Sequence, residues 1–73
     1  MVNPTEKCRV ALSDHAKARC VLRGLSTADA IRMVRRGTWI AEVGVRYTVV
    51  EGEWHLHVRL RRCFILVRTV YRA

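Results

Sequence analysis

The sequence predicts an α+β fold: a strand, two helices, then a three-stranded antiparallel meander, with both helices packed on one face of the sheet. Three observations lead there. Two helix-start signals, at Ser13-Asp14 and at Ser26 to Asp29, are each followed by a glycine stop, at Gly24 and Gly37. After Gly37 the apolar residues change from helical spacing to alternation. A Glu51-Gly52 turn then separates two strand-like segments.

Residues 1–5 read as a loose start, and 7–12, K-C-R-V-A-L, alternate weakly as a first strand. Ser13 suits an N-cap and Asp14 the first turn of a helix over 14–23. Ser26 caps the next helix with Asp29 as a short-armed capping-box partner, and Ala30, Ile31 and Val34 supply its buried side. T-W-I-A-E-V, after Gly37, is either a short strand or an irregular approach. V-R-Y-T-V-V at 45–50 is rich in β-branched and aromatic residues. At 53–60, Trp54, Leu56, Val58 and Leu60 alternate with His55, His57 and Arg59. Arg61 and Arg62 form or flank a turn, and C-F-I-L-V-R-T-V-Y at 63–71 reads as a central strand.

The chain has 73 residues, enough for one domain, 1–73, with a modest core that leans on a partner or a second copy. Fourteen Lys and Arg against six Asp and Glu give a net charge of +8, and twelve of the fourteen cations are arginine. Arginine forks match phosphate and stack on bases, so the composition points to a polyanionic partner. No apolar run is long enough to span a membrane, and the N-terminus lacks a signal-peptide core. Cys8, Cys20 and Cys63 are odd in number and scattered. They read as small core residues of a reduced, cytosolic protein rather than as a disulfide frame or zinc site.

His15, Arg19 and Arg23 recur every fourth residue. With His15 at zero on a helical wheel, Arg19 falls at about 40°, Arg23 at about 80° and Lys17 at about 200°. Leu22 and Ala18 lie on one side of the stripe, Ala16 and Cys20 on the other. So few acids accompany these cations that the stripe reads either as an anion site or as snorkelling arginines with a backbone-bonded histidine. By strand parity Thr69 and Tyr71 share a face with Ile65 and Val67; if the helices cover that face, both residues can meet His15, and a single β-bulge inverts the assignment. His55 and His57 form an H-x-H pair without a third metal ligand. Their face, with Arg46, Arg59 and Arg68, reads instead as a basic surface for phosphate contacts, and Phe64 and Leu66, which share it, read as partner or dimer contacts. No Gly-rich phosphate loop, Ser–His–Asp set or paired carboxylates are present.

The run His15-Ala16, Arg19, Arg23-Gly24-Leu25-Ser26 resembles the H-A-x-x-R-x-x-x-R-G-[IL]-S signature of a family of small prokaryotic proteins. No function is formally assigned to that family, which is grouped with the RelE/ParE-like toxins of toxin–antitoxin pairs. Arg46-Tyr47 and Thr69 to Tyr71 also match it, and the resemblance covers about residues 8–72. It implies a RelE/ParE-like fold and metal-independent RNA cleavage, often of translated mRNA, by attack of a ribose 2′-OH on the adjacent phosphate. It further implies His15 as acid–base group, Arg19 and Arg23 as phosphate clamps, Tyr71 as second acid or stacking ring and Thr69 as orienter, with no cofactor or metal. RNA contacts would then fall to Arg23, Arg46, Arg59, Arg61 and Arg62. The implied partners are RNA, on or off the ribosome, and an acidic antitoxin protein, in the cytoplasm and away from membranes; a homodimer is also open. Two rivals are a non-catalytic module that binds nucleic acid or protein, and a ParE-like topoisomerase inhibitor.

Overall fold

The computed structural model describes residues 7–73, so the expected loose start at 1–5 lies outside the described residues. The elements run β1 (Arg9–Leu12), α1 (Asp14–Leu22), α2 (Thr27–Arg36), β2 (Thr38–Ala41), β3 (Arg46–Glu51), β4 (Trp54–Arg61) and β5 (Phe64–Arg72). None of the described helices is long and apolar enough to cross a membrane.

Local chemistry accounts for the helix ends. The Ser13 hydroxyl accepts the Ala16 N–H at 3.1 Å, which satisfies one orphan donor of α1. Gly24, at φ +71°, takes the left-handed turn that follows this helix. α2 opens with a reciprocal capping box: Asp29 N–H donates to Ser26 Oγ at 3.0 Å, and Ser26 N–H donates to the Asp29 carboxylate at 2.9 Å. Arg32 reaches the other Asp29 oxygen at 3.1 Å. The Ser26 backbone N–H, then the Ser26 hydroxyl and the Arg32 guanidinium, hold the Asp29 carboxyl below the ordinary carboxylate range. At Gly37 a Cβ would meet Val49 Cγ1 at 2.5 Å and the Met33 carbonyl at 2.8 Å. The end of α2 therefore lies against β3 only because Gly37 has no side chain.

The strands form one five-stranded sheet in the order β1-β5-β4-β3-β2. From β2 to β5 each strand pairs antiparallel with the next, and β1 joins the far edge parallel to β5. The antiparallel run therefore has four strands rather than three, and the sheet is mixed. T-W-I-A is a true strand, fixed by Trp39, whose indole N–H donates to the buried Val34 carbonyl of α2 at 3.0 Å. One side of the sheet presents Val49, Leu56, Val58, Ile65, Val67 and Val70, all essentially sealed from solvent. These pack with Ala16 and Cys20 of α1 and Ala30 and Val34 of α2 into one core. Burying each Leu or Ile side chain there contributes about 1.5–3 kcal/mol. No described helix lies on the opposite side of the sheet.

The structure departs from two expectations of the sequence. The first is the face of Thr69 and Tyr71. His57 pairs with Thr69 but Val58 pairs with Val67, so Arg68 is an extra residue in β5, a β-bulge. Below the bulge Ile65 and Val67 point inward; above it Val70 does, and Thr69 and Tyr71 turn to the helix-free face. The second is the state of the cysteines. Cys8 and Cys63 form a disulfide across 55 residues, with Cα atoms 4.6 Å apart. The parallel β1–β5 pairing places them together, with Arg9 N–H donating to the Cys63 carbonyl at 3.1 Å. Cys20 alone is a buried free thiol, and burial, then the nearby Asp29 charge, push its pKa up.

Closing a 55-residue loop removes enough chain entropy to stabilise the fold by about 4 kcal/mol in the loop-entropy account, with about 2–4 kcal/mol typical. Urea unfolding of Cys63→Ser is expected to show a loss in that range, and reductant is expected to bring the native chain to the variant's midpoint. Because the folded Asp29 carboxyl titrates below its unfolded value, its contribution is complete above the unfolded pKa and is lost as pH falls through the folded one. Asp29→Asn is therefore expected to be less stable than the native chain near pH 7, and the gap measured by urea midpoint is expected to narrow as pH falls through the lowered pKa of the folded carboxyl.

Candidate nucleic-acid site on the helix-free face

The helix-free face is built by strand alternation. β4 contributes His55, His57, Arg59 and Arg61, set opposite Tyr71, Thr69, Leu66 and Phe64 of β5. β3 adds Arg46 opposite Arg59, and Thr48 opposite His57. On the other flank β1 adds Arg9 beside Phe64 and Ala11 beside Leu66. The outward positions of β1, β4 and β5 hold no carboxylate. Glu42, at the far end of β2, is engaged by the Thr48 hydroxyl, which donates to it at 3.1 Å.

The bulge makes a hollow in this face. β1 stops at Leu12, where Ser13 N–H donates to the Val67 carbonyl at 2.9 Å. The Ser13 hydroxyl donates to the carbonyl of the bulged Arg68 at 3.1 Å while capping α1. One serine thus ties the start of α1 to the irregular point of β5, and His15 follows two residues on. The resulting open hollow, about 500 Å³, is lined by Ser13, His15, Arg46, His57, Arg68 and Thr69 among others. That volume lies within the range of small-ligand sites.

Beside the hollow stands an aromatic group. His57 Nε2 and Tyr71 Oη share a hydrogen bond at 3.2 Å, with the rings edge-on and their centroids 5.1 Å apart. His55 lies against the same tyrosine at 5.3 Å. Tyr71 therefore fixes the orientation of His57 by bond and by ring contact. Among the described residues no three His, Cys, Asp or Glu are grouped to hold a metal ion.

Of the residues singled out in the sequence, the structure brings together His15, Thr69 and Arg46, with Tyr71 one hydrogen bond away through His57. It does not bring Arg19 or Arg23: Arg19 on α1 and Arg23, the residue just past its end, are both exposed and do not line the hollow. The helical wheel misled because only Ala16 and Cys20 are buried, while Leu22, on the other flank of the stripe, is 73% exposed. The expected apolar cover on both sides of the stripe exists on one side only. Arg59 and Arg61 line a neighbouring hollow with Phe64 and Leu66, and Arg62 is exposed in the β4–β5 turn at φ 55°. His57 and Arg68 read in the sequence only as members of a basic surface; the hollow unites them with His15. The signal for this was present in Val67-Arg68-Thr69-Val70, where two consecutive polar residues between apolar ones break strict alternation.

Compared with known protein families, curated proteins and solved structures, the chain has no match.

Ser13 makes two hydrogen bonds that no alanine can replace. Ser13→Ala is expected to lower stability by about 1–2 kcal/mol in urea unfolding. Ser13→Asp, which can still accept from Ala16 but cannot donate to Arg68, is expected to recover only part of the loss.

Proposed function

We propose that the chain is a metal-independent endoribonuclease of the RelE/ParE-like toxin type, the fold and family that the His15–Ser26 signature resembles. One observation carries the reading: two imidazoles, two guanidiniums and the hydroxyls of Ser13 and Thr69 line a single hollow on a face where the outward positions of β1, β4 and β5 hold no carboxylate. Cleavage of RNA by its own 2′-OH needs a base at that hydroxyl, positive charge on the phosphorane, and an acid at the departing 5′-oxygen. Imidazole serves either proton role near neutral pH. His15 and His57 are the two imidazoles of the hollow. Arg46 and Arg68 supply positive charge to the phosphate oxygens. Thr69 offers a hydroxyl for orientation, and Tyr71 holds the His57 ring. In the reaction the 2′-oxygen bonds to phosphorus, the P–O5′ bond breaks, and one proton moves from the 2′-OH to the base while another passes from the acid to the 5′-oxygen. The products are a 2′,3′-cyclic phosphate and a free 5′-hydroxyl, with no change of oxidation state.

In this reading Arg19 and Arg23 belong to an outlying basic surface rather than to the phosphate clamp. An acidic antitoxin segment and a cytoplasmic location are parts of the same proposal, carried by the resemblance. The Cys8–Cys63 bond is then a state that the pair enters on oxidation, since lasting cross-links belong to oxidising compartments.

The test is incubation of the purified chain with single-stranded RNA in the presence of a chelator. Cleavage is expected to persist, to stop at a 2′-deoxy position, and to fall about 100-fold or more in His15→Ala and in His57→Ala. RNA that is bound but remains intact would instead assign the face to a non-catalytic binding module, the reading that the row of outward arginines favours.

A further inference from the structure

A second hollow adjoins the first. It measures about 130 Å³ and is lined by Arg59, Arg61, Phe64 and Leu66, the last of which also lines the His15–His57 hollow. Phe64 is 42% exposed on the open face of the sheet, beside the half-buried Leu66 that joins the two hollows. Arg59 and Arg61 stand across from Leu66 and Phe64 on β4, and Arg9 pairs beside Phe64 on β1. The ring is therefore an apolar surface flanked by cations.

Its surroundings favour one occupant. A second copy of this chain docked symmetrically here would set Arg9, Arg59 and Arg61 against their own equivalents, and like charges brought together cost several kcal/mol. An uncharged apolar partner would strip water from the same guanidiniums without pairing them. A nucleotide answers both features, because its base has a flat π-face for the phenyl ring and its phosphate pairs with guanidinium. A base inside a duplex has both faces covered, so the occupant must be unpaired. Outward residues of one strand recur about every 7 Å, so Phe64 sits one such step from Leu66 and the first hollow.

We propose that Phe64 is the stacking platform for one unpaired nucleobase, held next to the phosphate that occupies the His15–His57 hollow, with Arg59 and Arg61 on the backbone of that nucleotide. This inference rests on the RNA reading of the first hollow and adds a subsite to it. The platform takes any base by stacking and contributes affinity without taking part in proton transfer.

Binding of a labelled, uncleavable 2′-deoxy oligonucleotide tests it by fluorescence anisotropy. Phe64→Ala is expected to weaken binding about 5- to 150-fold, the range that loss of one base–aromatic stack gives. Phe64→Trp is expected to restore affinity and Phe64→Leu is not. Removing the base at one position of the oligonucleotide is expected to weaken the native chain by a similar factor and to add little to Phe64→Ala. Native-like binding by Phe64→Leu would overturn the proposal, because an apolar residue without a ring would then suffice. Unchanged oligonucleotide binding by Phe64→Ala, together with altered self-association in sedimentation or lost binding of an acidic peptide, would also overturn it and assign the patch to a protein. If the native chain binds the oligonucleotide with the Phe64 dependence but leaves all-ribose RNA intact, the cleavage reading fails and the stacking site stands.

Discussion

Val58 faces Val67 across the sheet and His57 faces Thr69, so Arg68 has no partner position in the β4–β5 ladder. Much of the molecule follows from that one surplus residue. Strand alternation would carry Thr69 and Tyr71 into the apolar layer and Val70 out of it. The bulge shifts the alternation by one, keeping Val70 in the core and delivering the hydroxyl and the phenol to the open face. It also turns the Arg68 carbonyl toward Ser13, the residue that ends β1 and caps α1. An irregularity in one strand thereby brings a histidine from a helix and a histidine from a neighbouring strand to the lining of one hollow.

The two faces of the sheet divide the chain's work. The covered face buries small helix residues, Ala16 and Ala30, against Val, Ile and Leu from the sheet, an arrangement that brings the helices close and supplies the stability. The open face concentrates guanidiniums and imidazoles with few carboxylates nearby, so its charge stays available to an anionic ligand. β1, like β2 at the other edge, is a four-residue strand held on one side only. The Cys8–Cys63 bond pins its start, and Arg35 of α2 donates to the Cys8 carbonyl at 3.3 Å. Its other end is Ser13, so stability at the disulfide and geometry at the hollow are linked through a few residues of backbone.

What the sequence made legible was mostly local. Ser13, Ser26 and Asp29 announced the two helices, Gly24 and Gly37 their ends, and alternation from Trp54 to Leu60 the long strand, because capping and periodicity act within a few residues. The open basic face was legible too, since His55, His57 and Arg59 alternate with apolar residues. What depended on long-range pairing was hidden. Cys8 and Cys63 lie 55 residues apart and meet only because β1 runs parallel to β5. The membership of the site was partly hidden for the same reason: His15 was singled out on its helix and Thr69 on its strand, but the reason expected for their meeting, a shared helix-covered face, is replaced by a bulge that puts the hollow on the other side. Arg19 and Arg23 were drawn in by helical spacing alone, and nothing local distinguishes a partly covered stripe from one flanked by an exposed Leu22.

The central claim is that His15 of α1 and His57 of β4 act on one bound phosphate. The most direct measurement is NMR of the imidazole nitrogens while a 2′-deoxy dinucleotide monophosphate is added. The account predicts that the ring signals of His15 and His57 move together along a single saturation curve, and that Arg68→Ala weakens that curve for both. Movement of His57 without His15, or two curves with different midpoints, would contradict it.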